Sequence, residues 1–204
     1  MPTQITIIDG HPDGDPARFC HVIVAAYAAM AAGHSLEILD VAKLEFPLLR
    51  ARADWENGRP VADVEAAQQA IAKAEHVILV YPLWLGDMPA MLKGFLEQVF
   101  RPGFAIKEGA RTLSPGLLKG KSAHVVVTMG MLALVYRLLF FSHSVRSLRR
   151  NILQFVGFGP VRISLIGSVE AAKKRVRSGL IVSGGMRAMP NDIRTDVAAS
   201  RRSL

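Results

Sequence analysis

Five short runs rich in β-branched residues recur at wide intervals: "ITIID" (5–9), "LEILDV" (36–41), "HVILVY" (76–81), "AHVVVTM" (123–129) and "VRISLIG" (161–167). No other feature constrains the fold as tightly. The third and fourth are almost unbroken hydrophobes, as strands buried on both faces must be. Segments of helical periodicity separate most of them, at about 17–32, 62–74, 89–99 and 144–157, with a short one near 170–177. Strand and helix in alternation predict an α/β fold, a parallel sheet with helices on both faces. Right-handed crossovers then bring every strand's carboxyl end to one edge, and ligands of such sheets bind beyond that edge. Function is therefore to be sought in the loops after the first, third and fourth strands.

The chain has 204 residues, half of them apolar, which is enough for one well-filled core. Residues 1–178 read as one domain and 179–204 as an irregular or mobile tail. The most apolar piece, "MGMLALVYRLLFF", has 13 residues with Arg137 inside it, too short to span a bilayer. The N-terminal "MPTQITIIDG" has no basic region ahead of its apolar run and reads as a first strand. A lone Cys20 forms no internal disulfide. Together these favour a reducing compartment, the cytoplasm.

The net charge of +8 is unevenly placed. Residues 137–168 hold five basic and no acidic side chains, whereas residues 1–136 hold 12 basic and 14 acidic ones. The basic residues lack interleaved aromatics or a DNA-reading motif, which argues against nucleic acid as a partner. A solvated basic face is the simpler reading, and a polyanionic cofactor could use part of it.

The loop after the first strand, "GHPDGDPARF", leads into a helix expected near Ala17. Asp15 suits its cap and Pro16 its first turn. Free N–H groups at a helix start bind phosphate readily, and Arg18 adds positive charge. The spacing matches neither a Walker loop nor a dinucleotide fingerprint. After the third strand, "PLWLGDMPA" places Pro82 at the strand's end and Pro89 at the next helix. Residues 83–87 are then expected to cross the edge with free N–H groups, while Trp84 or Leu85 covers the face of a flat ring. Core filling by Trp84 is the plainer alternative. After the fourth strand, Thr128-Met129-Gly130 again offers donors and a permissive glycine, and Tyr136 and His143 follow.

His21, His34, His76 and His124 read as uninvolved, and no histidine pair has metal-ligand spacing beside a carboxylate, so no metal site is expected. Cys20 reads as a buried small residue. Ser142 and Ser144 lack the G-x-S-x-G elbow of a hydrolase.

Taken together, "HPDGDPARF", "GHSLEILDV", "YPLWLGDMPAMLKGFLEQVFRPGFA", "LKGKSAHVVVTMG" and "NILQFVGFGPVRISLIG" resemble the flavodoxin-like NAD(P)H:quinone oxidoreductase family. The resemblance spans most of residues 4–168. It implies a five-stranded parallel sheet in the order 2-1-3-4-5, a bound flavin (FAD, alternatively FMN), and a homodimer. It also implies NAD(P)H as hydride donor and two-electron reduction of quinones or similar flat acceptors. Carried over, the phosphate loop falls on His11, Arg18, Phe19 and Cys20. The ring-binding loop falls on Pro82, Leu83, Trp84, Leu85 and Gly86, and the pyrimidine edge on Val127, Thr128, Met129 and Gly130. Tyr136 and His143 lie near the family's substrate-facing Tyr and His. Arg18 stands where the family usually has Ser, Met129 replaces a Gly, and the segment beyond Gly179 has no counterpart. These departures keep two alternatives open. One is a degenerate member without flavin; the other is an ancillary subunit whose basic 137–162 stretch and tail dock on a membrane partner.

Overall fold

The computed structural model describes residues 3–108 and 116–169. The expected short helix near 170–177 and the tail 179–204 lie outside them. Five parallel strands, β1 (Gln4–Asp9), β2 (Ser35–Asp40), β3 (His76–Pro82), β4 (Ser122–Thr128) and β5 (Val161–Ile166), form one sheet in the order β2-β1-β3-β4-β5. The hydrophobic runs explain that order. Every residue of β3 is buried, and all of β4 except Ser122, so these two take central places. β2 alternates with exposed positions and lies at an edge, while β5 is half-covered at the other.

Helices α1 (Phe19–Met30), α2 (Arg52–Asn57), α3 (Ala62–Lys73), α4 (Ala90–Val99), α5 (Ala133–Leu139) and α6 (His143–Ser147) connect the strands. A π-helical segment, Leu148–Gln154, continues α6. Thus one expected helix over 144–157 is two segments of different pitch, and α2 was not anticipated: its six residues bury nothing and carry no apolar period. Alternate residues of the central strands separate the core into two layers. Ile8, Leu79, Tyr81, Val125 and Val127 pack against α3, α4 and the π-helical segment. Ile5, Ile7, Ile78, Val80 and Val126 pack against α1, through Phe19, Ile23 and Tyr27. The first face carries most of the described burial. Among the described residues, no helix is long and apolar enough to cross a membrane.

α1 begins at Phe19 rather than near Ala17, because the preceding residues are spent on turns. Asp13 Oδ1 accepts the Asp15 N–H (3.0 Å), Asp15 Oδ1 accepts the Ala17 N–H (2.9 Å), and the Arg18 N–H reaches Asp15 O (2.9 Å). Asp15 therefore caps a turn ahead of the helix, and the N-cap position falls to Arg18, whose side chain caps nothing.

Candidate functional site at the carboxyl edge of the sheet

The three edge loops are rooted by backbone hydrogen bonds that extend the sheet's own ladder. Gly10 N–H donates to Val80 O (2.7 Å), Leu83 N–H to Thr128 O (2.8 Å), and Met129 N–H to Ile166 O (2.8 Å). Consequently Leu83 and Met129, expected to offer free donors, do not: both N–H groups are spent on the neighbouring strand. Pro82 belongs to β3, paired with Thr128, and the strand ends after it. Val127 and Thr128 are buried β4 residues. Thr128 is also tied across to the first loop, since Cys20 Sγ lies 3.3 Å from its Oγ1. Cys20 is a buried, unreactive thiol: burial pushes its pKa up to about 12.

Beyond Leu83 the chain makes a tight hairpin. Trp84 N–H donates to Asp87 O (2.8 Å) and Asp87 N–H returns to Trp84 O (3.0 Å). Leu85 (φ 48°) and Gly86 (φ 82°) between them both adopt left-handed backbone, as a type I′ turn requires. Gly86 meets that demand without strain, which is the physical reason for a glycine here. Leu85 does not, and it is fully exposed. Among the described residues the Leu85 and Gly86 N–H groups have no acceptor, and no atom lies within 4 Å of where a Cβ on Gly86 or Gly130 would stand. Trp84 is 48% exposed, so core filling does not account for it. Its ring meets His11 edge-on, with centroids 5.8 Å apart.

His11 opens onto a cluster that sequence reasoning missed. His21, in the first turn of α1, sets Nδ1 2.5 Å from Asp9 Oδ2 and Nε2 2.8 Å from Asp13 O. Both acceptors demand protons from the ring, which is the imidazolium form. Burial opposes that charge, but the hydrogen bonds to Asp9 and Asp13 O and the charges of Asp9 and Asp40 outweigh it, and the His21 pKa is raised. His11, with its centroid 5.4 Å from that of His21, is shifted the opposite way. Burial, with the His21 charge adding to it, outweighs the contacts to Asp9 and Asp13 and lowers its pKa, and its Nδ1 accepts the Asp13 N–H at 3.1 Å. The sequence signal was available: Asp9 ends β1, and His21 occupies the third position of α1. Only the fold makes them neighbours.

The edge therefore offers an uncapped helix start with free donors, an exposed Arg18, and a half-exposed indole beside two unpaired N–H groups. Phosphate and a flat heterocycle fit these features. Two features oppose the fit. Arg18 is already paired with Asp13 (2.6 Å) and more loosely with Asp15 (3.7 Å), and Met129 has spent its donor.

Of the two expected substrate-facing residues, Tyr136 does not reach the crevice. It is 0% exposed, and its hydroxyl is 2.6 Å from Ser144 Oγ. The α5 period carries it inward against the core, while its neighbours face out. His143 is exposed, with Nδ1 3.1 Å from Phe140 O. A second buried phenol, Tyr81, has a hydroxyl with no partner among the described residues.

Comparison with known proteins agrees with the fold. A family model described as a flavodoxin-like fold matches residues 3–179. An "uncharacterized NAD(P)H oxidoreductase" of Haemophilus influenzae is 31% identical over 126 residues, 61% of this chain and 62% of that protein. The human "ribosyldihydronicotinamide dehydrogenase [quinone]" is 29% identical over 130 residues, 62% of this chain and 56% of that one. Both alignments thus span less than two thirds of the relative's length. In fold, the chain is similar to an NAD(P)H:quinone oxidoreductase from Methanothermobacter marburgensis, with a TM-score of 0.67 at 23% identity, covering 82% of this chain and 85% of that one. With the sheet order and the family match in agreement, the chain belongs to the flavodoxin-like fold family.

Proposed function

We propose that this chain is a flavin-dependent NAD(P)H oxidoreductase that makes two-electron reductions of quinones or similarly flat acceptors. The observation that carries the reading is the Trp84–Asp87 hairpin, a strained turn whose apolar tip is exposed and whose two central N–H groups are unpaired among the described residues. Strain of this kind, on the order of 1–3 kcal/mol, is retained where a ligand makes use of it. FAD, or alternatively FMN, would be held by the donors of Phe19 and Cys20 with Arg18 and His11 at the phosphate end. Trp84, Leu85 and Gly86 would hold the ring, and the open backbone at Gly130 would face its polar edge. Bound there, the flavin supplies hydride chemistry between NAD(P)H and the acceptor. The chain's own part is to seat the ring, exclude water with Leu85 and Trp84, and handle protons. His143 is the exposed candidate for proton handling, with Nε2 unengaged among the described residues. Tyr136 serves it indirectly, by fixing Ser144.

A homodimer in the cytoplasm completes the reading. A cavity of about 510 Å³ beside α4, walled by Trp55, Leu96, Phe100, Ile152 and Phe155, offers that second copy an apolar seat. A second reading, loss of flavin binding, is favoured by the Arg18–Asp13 pair and the spent Met129 donor. Visible spectra of the purified protein with FAD or FMN, then with NADPH under anaerobic conditions, test both. Flavin bands that bleach support the first; no bound flavin at any concentration supports the second and refutes the first.

A further inference from the structure

The segment after Gly130 exposes more apolar surface than its neighbours explain. Met131, Leu132, Leu134, Leu138, Leu139, Phe140 and Phe141 are all exposed, Leu139 by 72% and Phe141 by 68%. α5 itself has only seven residues and buries Tyr136 alone. Its end is held in an unfavourable geometry: Phe141 and Ser142 are both left-handed, with φ 51° and 50°. A bulky residue seldom adopts that conformation, and here it leaves Phe141 at the surface beside the exposed Phe140. An apolar patch of this kind on a protein surface marks an interaction site.

Its surroundings are cationic. Arg137 lies within the patch and is exposed, Arg146 follows Ser142 by one helical turn, and Arg149 and Arg150 follow by another, all exposed. From Glu108 to Glu170 the sequence has no acidic residue. We propose that this surface docks the protein on an anionic lipid bilayer, with the leucines and phenylalanines entering the headgroup boundary and the arginines meeting lipid phosphates. Short amphipathic segments bind bilayers by this combination of apolar burial and basic attraction. Arginine also keeps its aliphatic stem in apolar surroundings while its head stays among phosphates. A second copy is the poorer occupant. A two-fold contact centred on α5 apposes the same patch from each copy, which sets Arg137 and Arg146 against their equivalents with no carboxylate in the patch to offset them. Because the patch starts one residue beyond Gly130, docking would present the sheet's carboxyl edge to acceptors dissolved in the bilayer. That consequence rests on the proposed function; the docking does not.

The test is sedimentation of the full chain with phosphatidylcholine vesicles, with and without about 30% phosphatidylglycerol, at low and high salt. Binding is expected only with phosphatidylglycerol and is expected to weaken with salt. The substitutions Leu139→Asp and Phe141→Asp together should lower it by at least roughly tenfold. Arg146→Gln with Arg149→Gln should lower it about fivefold per arginine, and a charge-matched control, Arg59→Gln with Lys119→Gln, should not. The arginine pair keeps the proposal testable if the aspartates perturb folding. No binding to anionic vesicles, equal loss in the control, or binding untouched by either patch variant overturns it. So does a dimer that the aspartates convert to monomers, which would assign the patch to a second copy. None of these readouts needs flavin, so failure here is distinct from failure of the redox reading.

Discussion

Leu85→Asn separates strain from function at the candidate site. In the Trp84–Asp87 hairpin Leu85 is left-handed at φ 48°, a conformation that costs an ordinary L-residue about 1–2 kcal/mol. Asparagine tolerates it, and Asn-Gly is the favoured pair for a type I′ turn. Leu85 is fully exposed, so the change removes no buried apolar area from the ligand-free protein. The variant should therefore be more stable by on the order of 1 kcal/mol, a rise of roughly 2–4 °C in Tm for a domain of this size. If Leu85 covers a flavin, the same change removes apolar contact worth up to about 1.5–3 kcal/mol, and flavin affinity should fall about tenfold or more. Urea and thermal melts of the flavin-free protein give the first number, and fluorescence titration with FAD and FMN gives the second. A less stable variant would show that the leucine supports the turn, refuting the strain argument. A more stable variant with unchanged flavin affinity would show that Leu85 covers nothing.

Four further outcomes follow from other parts of the structure. Asp13→Asn releases Arg18 from its half-exposed, solvent-screened ion pair, so flavin should bind somewhat tighter, up to about fivefold; weaker binding by isothermal titration would show that Asp13 helps to build the site. His21, whose pKa is raised by its contacts with Asp9 and Asp13 O despite burial, should contribute stability fully below about pH 6.5. That contribution should fade as pH rises through its folded value and should shrink in Asp9→Asn; a His21 titration by NMR at or below the ordinary imidazole value would refute the pairing. Tyr81→Phe deletes a buried hydroxyl without a partner among the described residues and should leave stability unchanged or raise it by about 1 kcal/mol, whereas a loss in urea denaturation would reveal an unseen partner. Gly167→Ala would put a methyl 2.4 Å from Ala133 N and 2.6 Å from Met131 O, costing about 1–3 kcal/mol by overpacking. An unchanged urea midpoint would mean that the end of β5 is not seated against that loop.

Much of this architecture was legible in the chain because it depends on local hydrophobic pattern. The two longest apolar runs had to be central strands, since only a position covered on both faces satisfies seven consecutive buried residues. Alternation with helical segments then left a parallel sheet with its loops gathered at one edge, and the family resemblance supplied the strand order. Gly86 was legible as a special position, though its role in a left-handed turn was not. α2 was invisible, because six surface residues leave no period to read.

The candidate site depended more on the third dimension. Which N–H groups remain free is a question of what lies opposite, and the neighbouring strands claim those of Leu83 and Met129 while leaving those of Leu85 and Gly86 open. Tyr136 and His143 looked equivalent in sequence, yet Tyr136 faces the core from α5, while His143 opens α6 beyond the left-handed Phe141 and Ser142 and is exposed. The Asp9–His21 pair arises because α1 starts late enough to return His21 over the end of β1. Sequence by itself determined which segments must be buried and where the loops converge, because burial follows from composition and spacing. Tertiary structure alone decided which polar groups are already satisfied and which way the pKa of each histidine moves, because hydrogen bonding and desolvation depend on neighbours that the chain brings together only by folding.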